Sequence, residues 1–253
     1  MRIQAIAANT FRETIRDRVM INILLFAVGL ILLSLIIGDW SLGQQVKVIK
    51  DLGLSAMSVF GLLIAVFIGI RLMVQELERR TIYILASKPV HRWEIVVGKF
   101  LGLASTLAIN VVLMTAALWA VDYVMEGRID IGLIPAIVLI YVEILLIVAF
   151  AIFFSSFISP TIGAIMTLSV FIVGHLSDFL REYVEIYPDQ GFHWFLKAVY
   201  YIVPNLEKLN MKIAVVEHLE QPPHVFAYGL LYGLAYLSLI LMLSILLYQK
   251  RDF

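Results

Sequence analysis

The stretch Arg71-Leu-Met-Val-Gln-Glu-Leu-Glu-Arg-Arg-Thr-Ile-Tyr-Ile-Leu-Ala-Ser-Lys-Pro-Val-His-Arg-Trp-Glu-Ile-Val-Val-Gly-Lys99 is the one long run of the chain in which charge outweighs apolar character. Segments long enough to cross a bilayer flank it on both sides. Glu76, Glu78, Arg79, Arg80 and Thr81 follow the preceding apolar run while Leu77, Ile82 and Leu85 stay in helical register, so that membrane helix is expected to project beyond the bilayer. Ser87-Lys88-Pro89 ends it, because a residue before proline is driven out of the helical region. A short amphipathic piece, Val90 to Ile95, restarts the helix. A short loop would suffice to join two membrane helices, so the whole segment 76–95 reads as a surface made for a partner. Its charges suit the rim of an interface, and Val90 and Trp93 suit its anchor. The competing reading is a basic loop resting on anionic lipid.

Composition sets the class. Charged residues are 15% of the chain and hydrophobic ones 62%, far from the balance of a soluble domain, so this is an integral membrane protein. Lys plus Arg equal Asp plus Glu at 19 each, which removes any bulk-charge argument for nucleic acid. With no Cys there is no disulfide framework and no thiolate chemistry.

Working outward, residues 1–18 place Ile3, Ile6, Ala7, Phe11 and Ile15 on one stripe, as in a helix lying in the membrane interface. Six spans are expected, at 19–37, 52–74, 96–121, 131–158, 161–176 and 225–248. The first would reach about 28 Å, enough for the hydrocarbon core. Ser159-Pro160 marks a tight turn between the fourth and fifth. Residues 177–224 form the longest connection; Phe192 to Val203 is apolar but only about 18 Å long as a helix, too short to span. Pro204 ends it, and Asn205 can cap a further short helix carrying Leu206, Leu209, Ile213 and Val216. The fold class is therefore all-α: one polytopic transmembrane domain over 1–253, with an N-terminal interfacial helix and short extracytoplasmic helices between spans five and six.

Six spans place both termini on one side. The N-terminal arm, segment 71–99 and the tail hold twelve Lys and Arg, against seven on the other side, four of them in the long last loop where charge counts least. Both termini and the charged segment are expected to face the cytoplasm.

Catalytic and metal motifs are sought without success. Gly98-Lys99 lacks the glycine that a phosphate loop needs five residues before its Gly-Lys pair, where Trp93 stands. Glu217-His218-Leu219-Glu220 and His224 match no zinc spacing, and the scattered Met residues suit core packing as well as copper. Neither an enzyme nor a metal site is expected. Glu143 stands out, because an ionised carboxylate in the middle of a span costs several kcal/mol unless paired or wetted. It reads either as a pathway residue or as a helix-packing residue paired with Asn110 or Tyr141. Asn110 and His175 are weaker candidates, each suited to a satisfied contact between helices.

Glu76 to Gly102 resembles the permease subunits of type-2 ATP-binding-cassette transporters, nearest to the branch associated with maturation of copper enzymes such as nitrous-oxide reductase. Phe11-Arg-Glu-Thr-Ile-Arg-Asp-Arg18, Val203-Pro-Asn-Leu206 and Lys250-Arg-Asp-Phe253 carry the resemblance across nearly the whole chain. It implies a six-helix half-transporter in a prokaryotic inner membrane. That half would pair with a second copy, as a homodimer, and with two separate ATPase subunits that bind ATP and Mg. Glu76, Glu78, Arg79, Arg80 and Thr81 would then contact the ATPase, and Lys88, Pro89, Val90, His91, Arg92 and Trp93 would form the turn that transmits its closure. The resemblance also implies an outer gate in 177–224, with Phe192, Trp194, Phe195, Tyr200 and Pro204 as candidates. The apolar spans suit lipid-like cargo, or force transmission to a periplasmic accessory protein. A secondary carrier using Glu143, a membrane enzyme and a non-transporting scaffold are the alternatives; the carrier would need inverted repeats and several buried charges.

Overall fold

In the computed structural model the described residues are 2–38, 44–78, 91–186, 193–219 and 222–250, and they are helical with short turns. Helix is what an apolar solvent dictates, since each backbone N–H and C=O must find its partner within the chain. In order these are α1 (Arg2–Ile15), α2 (Arg18–Gly38), α3 (Gln45–Glu78), α4 (Arg92–Glu126), α5 (Ile134–Ser155), α6 (Pro160–His175), α7 (Ser177–Ile186), α8 (His193–Ile202), α9 (Lys212–Val216) and α10 (Pro223–Lys250). Single 3-10 turns, Ile131–Leu133 and Leu206–Leu209, precede α5 and α9. Proline opens both α6 and α10 at a position whose N–H has no helical partner anyway. Gly127 closes α4 in the left-handed region at φ 69°, donating its N–H to Tyr123 O.

Among the described residues five helices are individually long and apolar enough to span: α2, α3, α4, α5 with its 3-10 turn, and α10. A sixth span arises if α6 and α7 are one element, bent by 61° at Leu176. The centre of the bundle is α5, most of whose residues are buried against α3 and α10, while α2 and α10 keep broad apolar faces outward.

Three boundaries differ from the sequence expectation. The second span begins at Gln45, not Leu52, because Lys50 finds buried carboxylate partners and no longer needs water. The third continues to Glu126, so Asp122 is helical and buried and does not open a loop. The fourth ends at Ser155, where Ser155 and Ser156 turn their hydroxyls back onto carbonyls of the last turn.

The N-terminal stripe has a protein partner. α1 lies on the first turns of α4, with Thr10 and Thr14 added to the buried face. Two glycines make the approach possible: a Cβ on Gly98 would sit 2.8 Å from Ile6, and one on Gly102 would sit 2.6 Å from Ala7 O and 2.7 Å from Thr10. At the same end Arg71 reaches Asp17 at 2.6 Å, and Arg92 donates to Gln249 O at 3.1 Å and Tyr248 O at 3.5 Å. Both chain ends therefore meet the start of α4 at one end of the bundle, the terminal end.

Gly102→Val is expected to force α1 off α4, lowering stability by about 1–3 kcal/mol as an overpacking change. Thermal unfolding in detergent reads this, and faster trypsin cleavage at Arg12 and Arg16 locates it.

Candidate functional site

At the terminal end, the expected partner-docking segment is entered and left through described helix. Glu76 and Glu78 lie on the last turn of α3, and His91, Arg92 and Trp93 begin α4. Arg79, Arg80, Thr81, Lys88, Pro89 and Val90 lie outside the described residues. The restart at 91 has a local cause: the Glu94 carboxylate accepts the His91 N–H at 3.0 Å, as in one half of a capping box. Trp93 is exposed, available as an anchor, and Arg92 caps the carbonyl end of α10, where a cation opposes the helix dipole.

In the middle of the bundle, Glu143 is 1% exposed and is not paired as the sequence suggested. Tyr141 turns away and donates to Ala104 O at 3.0 Å, holding α5 to α4. Asn110 faces α2, donating to Thr106 O at 2.9 Å and touching Met20 Sδ at 3.6 Å. The Glu143 partners are Ser58 of α3, whose hydroxyl donates to Oε1 at 3.3 Å, and His175 of α6, whose Nε2 lies 3.4 Å from the same oxygen. Sequence spacing gives no means of pairing residues 32 apart on separate helices; the only available signal was that His175 is a second polar group amid an apolar run.

The end of the bundle opposite the termini, the far end, holds a buried ion cluster that sequence reasoning assigned to polar loops. Lys50, 1% exposed, sits 2.9 Å from Asp130, 3.3 Å from Asp122 and 3.7 Å from Glu126. Asp122 also accepts the Asp130 N–H at 3.0 Å, Trp119 donates to Asp130 O, and Arg128 offsets Glu126 at 3.2 Å. Burial by itself would raise the Asp130 carboxyl. The Lys50 hydrogen bond and charge, with the Gly132 N–H, outweigh it and hold the group below its ordinary 3.8.

Beside the cluster, Gly132, Pro135, Met211, Val215, His218 and Phe226 help to line a half-open apolar cavity of about 450 Å³. The histidines and glutamates weighed as metal ligands have other contacts here: Glu217 pairs with Lys47 at 2.5 Å, and His224 packs edge-on to Tyr228. Glu220 lies outside the described residues.

The candidate outer gate divides into two parts. Trp194 and Phe195 are exposed on α8, in edge contact at 6.1 Å, and Tyr200 packs on Tyr201. Phe192 lies outside the described residues. Pro204 is buried and leads into the turn Leu206–Leu209, whose two leucines are fully enclosed. That turn, termed the plug below for its position alone, packs against α5, α6 and α10. It fits because Gly174 and Gly233 present no side chain; a Cβ there would lie 2.6 Å from Leu206 and 3.0 Å from Leu209. Asn205 fastens it, accepting from Glu207 N at 2.9 Å, donating to Asp178 at 2.7 Å, and taking the Tyr232 hydroxyl on its own N–H at 2.8 Å.

These features together define a membrane-embedded helical bundle whose described chain ends meet at one end and whose other end holds the Lys50 ion cluster and the packed turn Leu206–Leu209. Residues 4–253 match the family described as ABC-2 family transporter protein, and the chain belongs to that family. Members are the membrane components of ABC transporters, working with an ATP-binding subunit, and are not themselves catalytic enzymes. No curated protein matches the chain.

Replacing Lys50 by Met leaves Asp122 buried without its counter-ion, and a loss of about 3–5 kcal/mol is expected. Adding Asp122→Asn should recover part of it. The depressed Asp130 carboxyl contributes its stability fully above 3.8 and loses it as pH falls through the lower, folded-state value. Wild type should accordingly resist acid unfolding, followed by circular dichroism, down to lower pH than Asp130→Asn, whose stability should be lower at neutral pH and depend less on pH in this range.

Proposed function

We propose that this chain is the permease half of a transporter in a prokaryotic inner membrane, working as a homodimer with two separate ATPase chains that hold ATP and Mg. Both termini and segment 76–95 face the cytoplasm, and the segment docks on the ATPase. The particular branch is that of copper-enzyme maturation, and the work done is export of a lipid-like cargo or transmission of force to a periplasmic partner.

The observation that carries this reading is the anchorage of the segment's ends. Arg92, the first helical residue after it, is bonded to the last carbonyls of α10, α1 is clasped to Gly98 and Gly102 just beyond, and Arg71 just before it is paired to Asp17. A push delivered between 76 and 91 therefore reaches α1, α3, α4 and α10 together. Nucleotide drives such a push only through differential affinity, so the ATP-bound dimer must favour one arrangement of these helices over the other.

Purification of the intact complex from membranes should recover a separate ATPase chain. Glu78→Lys or Pro89→Gly should lose it while the permease stays folded. An impermeant amine reagent that modifies Lys88 from outside intact cells would overturn the docking assignment, as would undiminished ATPase recovery with both variants.

A further inference from the structure

We propose that Glu143 and His175 form a proton-binding site inside the membrane, and that its occupancy sets the bend between α6 and α7 and the seating of the Leu206–Leu209 plug. The proposal needs only this chain and is independent of the ATPase reading.

Hydrogen-bond geometry places the proton. His175 Nδ1 lies 3.2 Å from Phe171 O, a carbonyl that can only accept, so Nδ1 carries a hydrogen. The remaining nitrogen, Nε2, faces Glu143 Oε1 at 3.4 Å. A neutral imidazole with its hydrogen on Nδ1 points a lone pair from Nε2, and an ionised carboxylate points another back. Those two lone pairs repel in a low dielectric. One proton between them removes the repulsion, whether carried as imidazolium with carboxylate or as neutral imidazole with carboxylic acid. In either form the pair has no net charge, the state an apolar surround favours. The Ser58 hydroxyl supports the same oxygen from α3. Only 2% of the Glu143 side chain is accessible, so nothing bulkier than a proton reaches it without the helices parting. His175 keeps 22% of its side chain exposed.

The charged groups around the pair offset one another. Lys212 of α9 and Glu207 of the plug act on Glu143 with opposite sign. Asp178, just past the bend, is taken up by Asn205, and Arg181 pairs with Glu185 on the outer face of α7. Tyr232 of α10 is engaged with Asn205 N, and Lys208 sits over its ring. Glu182 of α7 is the remaining acidic group on that helix.

The site's position gives it leverage. His175 is the last residue of α6, directly before the 61° bend, and its neighbour Gly174 forms part of the plug's seat. Parting α6 from α5 with the proton on Nε2 would strand two opposite charges. If the proton first moves to Oε1, two neutral groups part instead. Straightening of the bend and unseating of the plug therefore pass through the Glu143-protonated form, and a pair stripped of its proton repels and loosens the joint.

The test uses the full chain in lipid nanodiscs. With ¹⁵N-labelled histidine, the His175 signal is assigned by its loss in His175→Gln, and at one fixed pH its Nε2 chemical shift should report a hydrogen bond in wild type that is lost in Glu143→Gln. The chain has no cysteine, so Phe179→Cys, at an exposed position on α7, gives a clean second readout: its thiol labelling rate relative to denatured chain at the same pH. That ratio should change with pH in wild type and become pH-independent in Glu143→Gln. Should that variant fail to fold, His175→Gln must abolish the same labelling transition. The same His175 Nε2 shift in wild type and Glu143→Gln, or a labelling profile unchanged by either substitution, overturns the proposal.

Discussion

A bilayer core offers no water, so each polar group placed there must be answered by another part of the protein. Most of this chain solves the problem locally. Thr106, Thr115, Thr167 and Ser244 return their hydroxyls to carbonyls four residues back and ask nothing of neighbouring helices. Lys50 and Glu143 cannot do so. Their charge is too costly to bury alone, and their partners lie on other helices. Apolar side chains gain little by leaving lipid for protein, so helix neighbours are chosen by such pairs and by close-packed glycines more than by hydrophobic area. Lys50 binds α3 to the end of α4; Glu143 binds α5 to α3 and α6; Gly98 and Gly102 admit α1.

The two ends of the bundle are held differently, and the difference suits different tasks. At the terminal end the ties are charged and largely exposed, joining helices on both sides of residues 79–90. Exposed pairs of this kind are individually weak and rearrange readily. At the far end Lys50 and Asp122 are buried while Asp130 and Glu126 stay partly exposed, and the plug is fixed by Asn205 through three separate hydrogen bonds.

How much of this was legible depended on whether a residue's role is set by its own neighbours in sequence. Helix class, the existence of membrane spans and the break at Pro160 follow from hydropathy and backbone sterics, and they stand in the structure. Lys50 and Asp122 were assigned to loops because hydropathy scores each charge alone, and the two neutralise each other from positions 72 apart. Glu143 could be singled out for the cost of burying it, yet Ser58 and His175 could not be named as its partners, since periodicity says which face a residue occupies but not which helix faces it. Asn205 was legible as a cap from its type alone; that its cap holds a buried plug depended on glycines at 174 and 233, which a sequence offers only as small residues.

The structure also explains why α4 is so long. It runs 35 residues without proline, from Arg92 to Glu126, a rod of about 52 Å. Its first residue is tied to the carbonyl end of α10, and its last turns carry Asp122 and Glu126 of the far cluster. Between them Ala104 receives the Tyr141 hydroxyl two residues before Glu143 in α5. An α-helix resists axial compression because shortening it would strain each of its hydrogen bonds, so displacement at Arg92 must appear at Asp122 or bend the rod; its interior holds no proline, and α1 braces it at Gly98 and Gly102. The terminal end and the ion cluster are thus mechanically one element, Tyr141 ties α5 to it, and the Glu143–His175 contact lies on the boundary between α5 and α6.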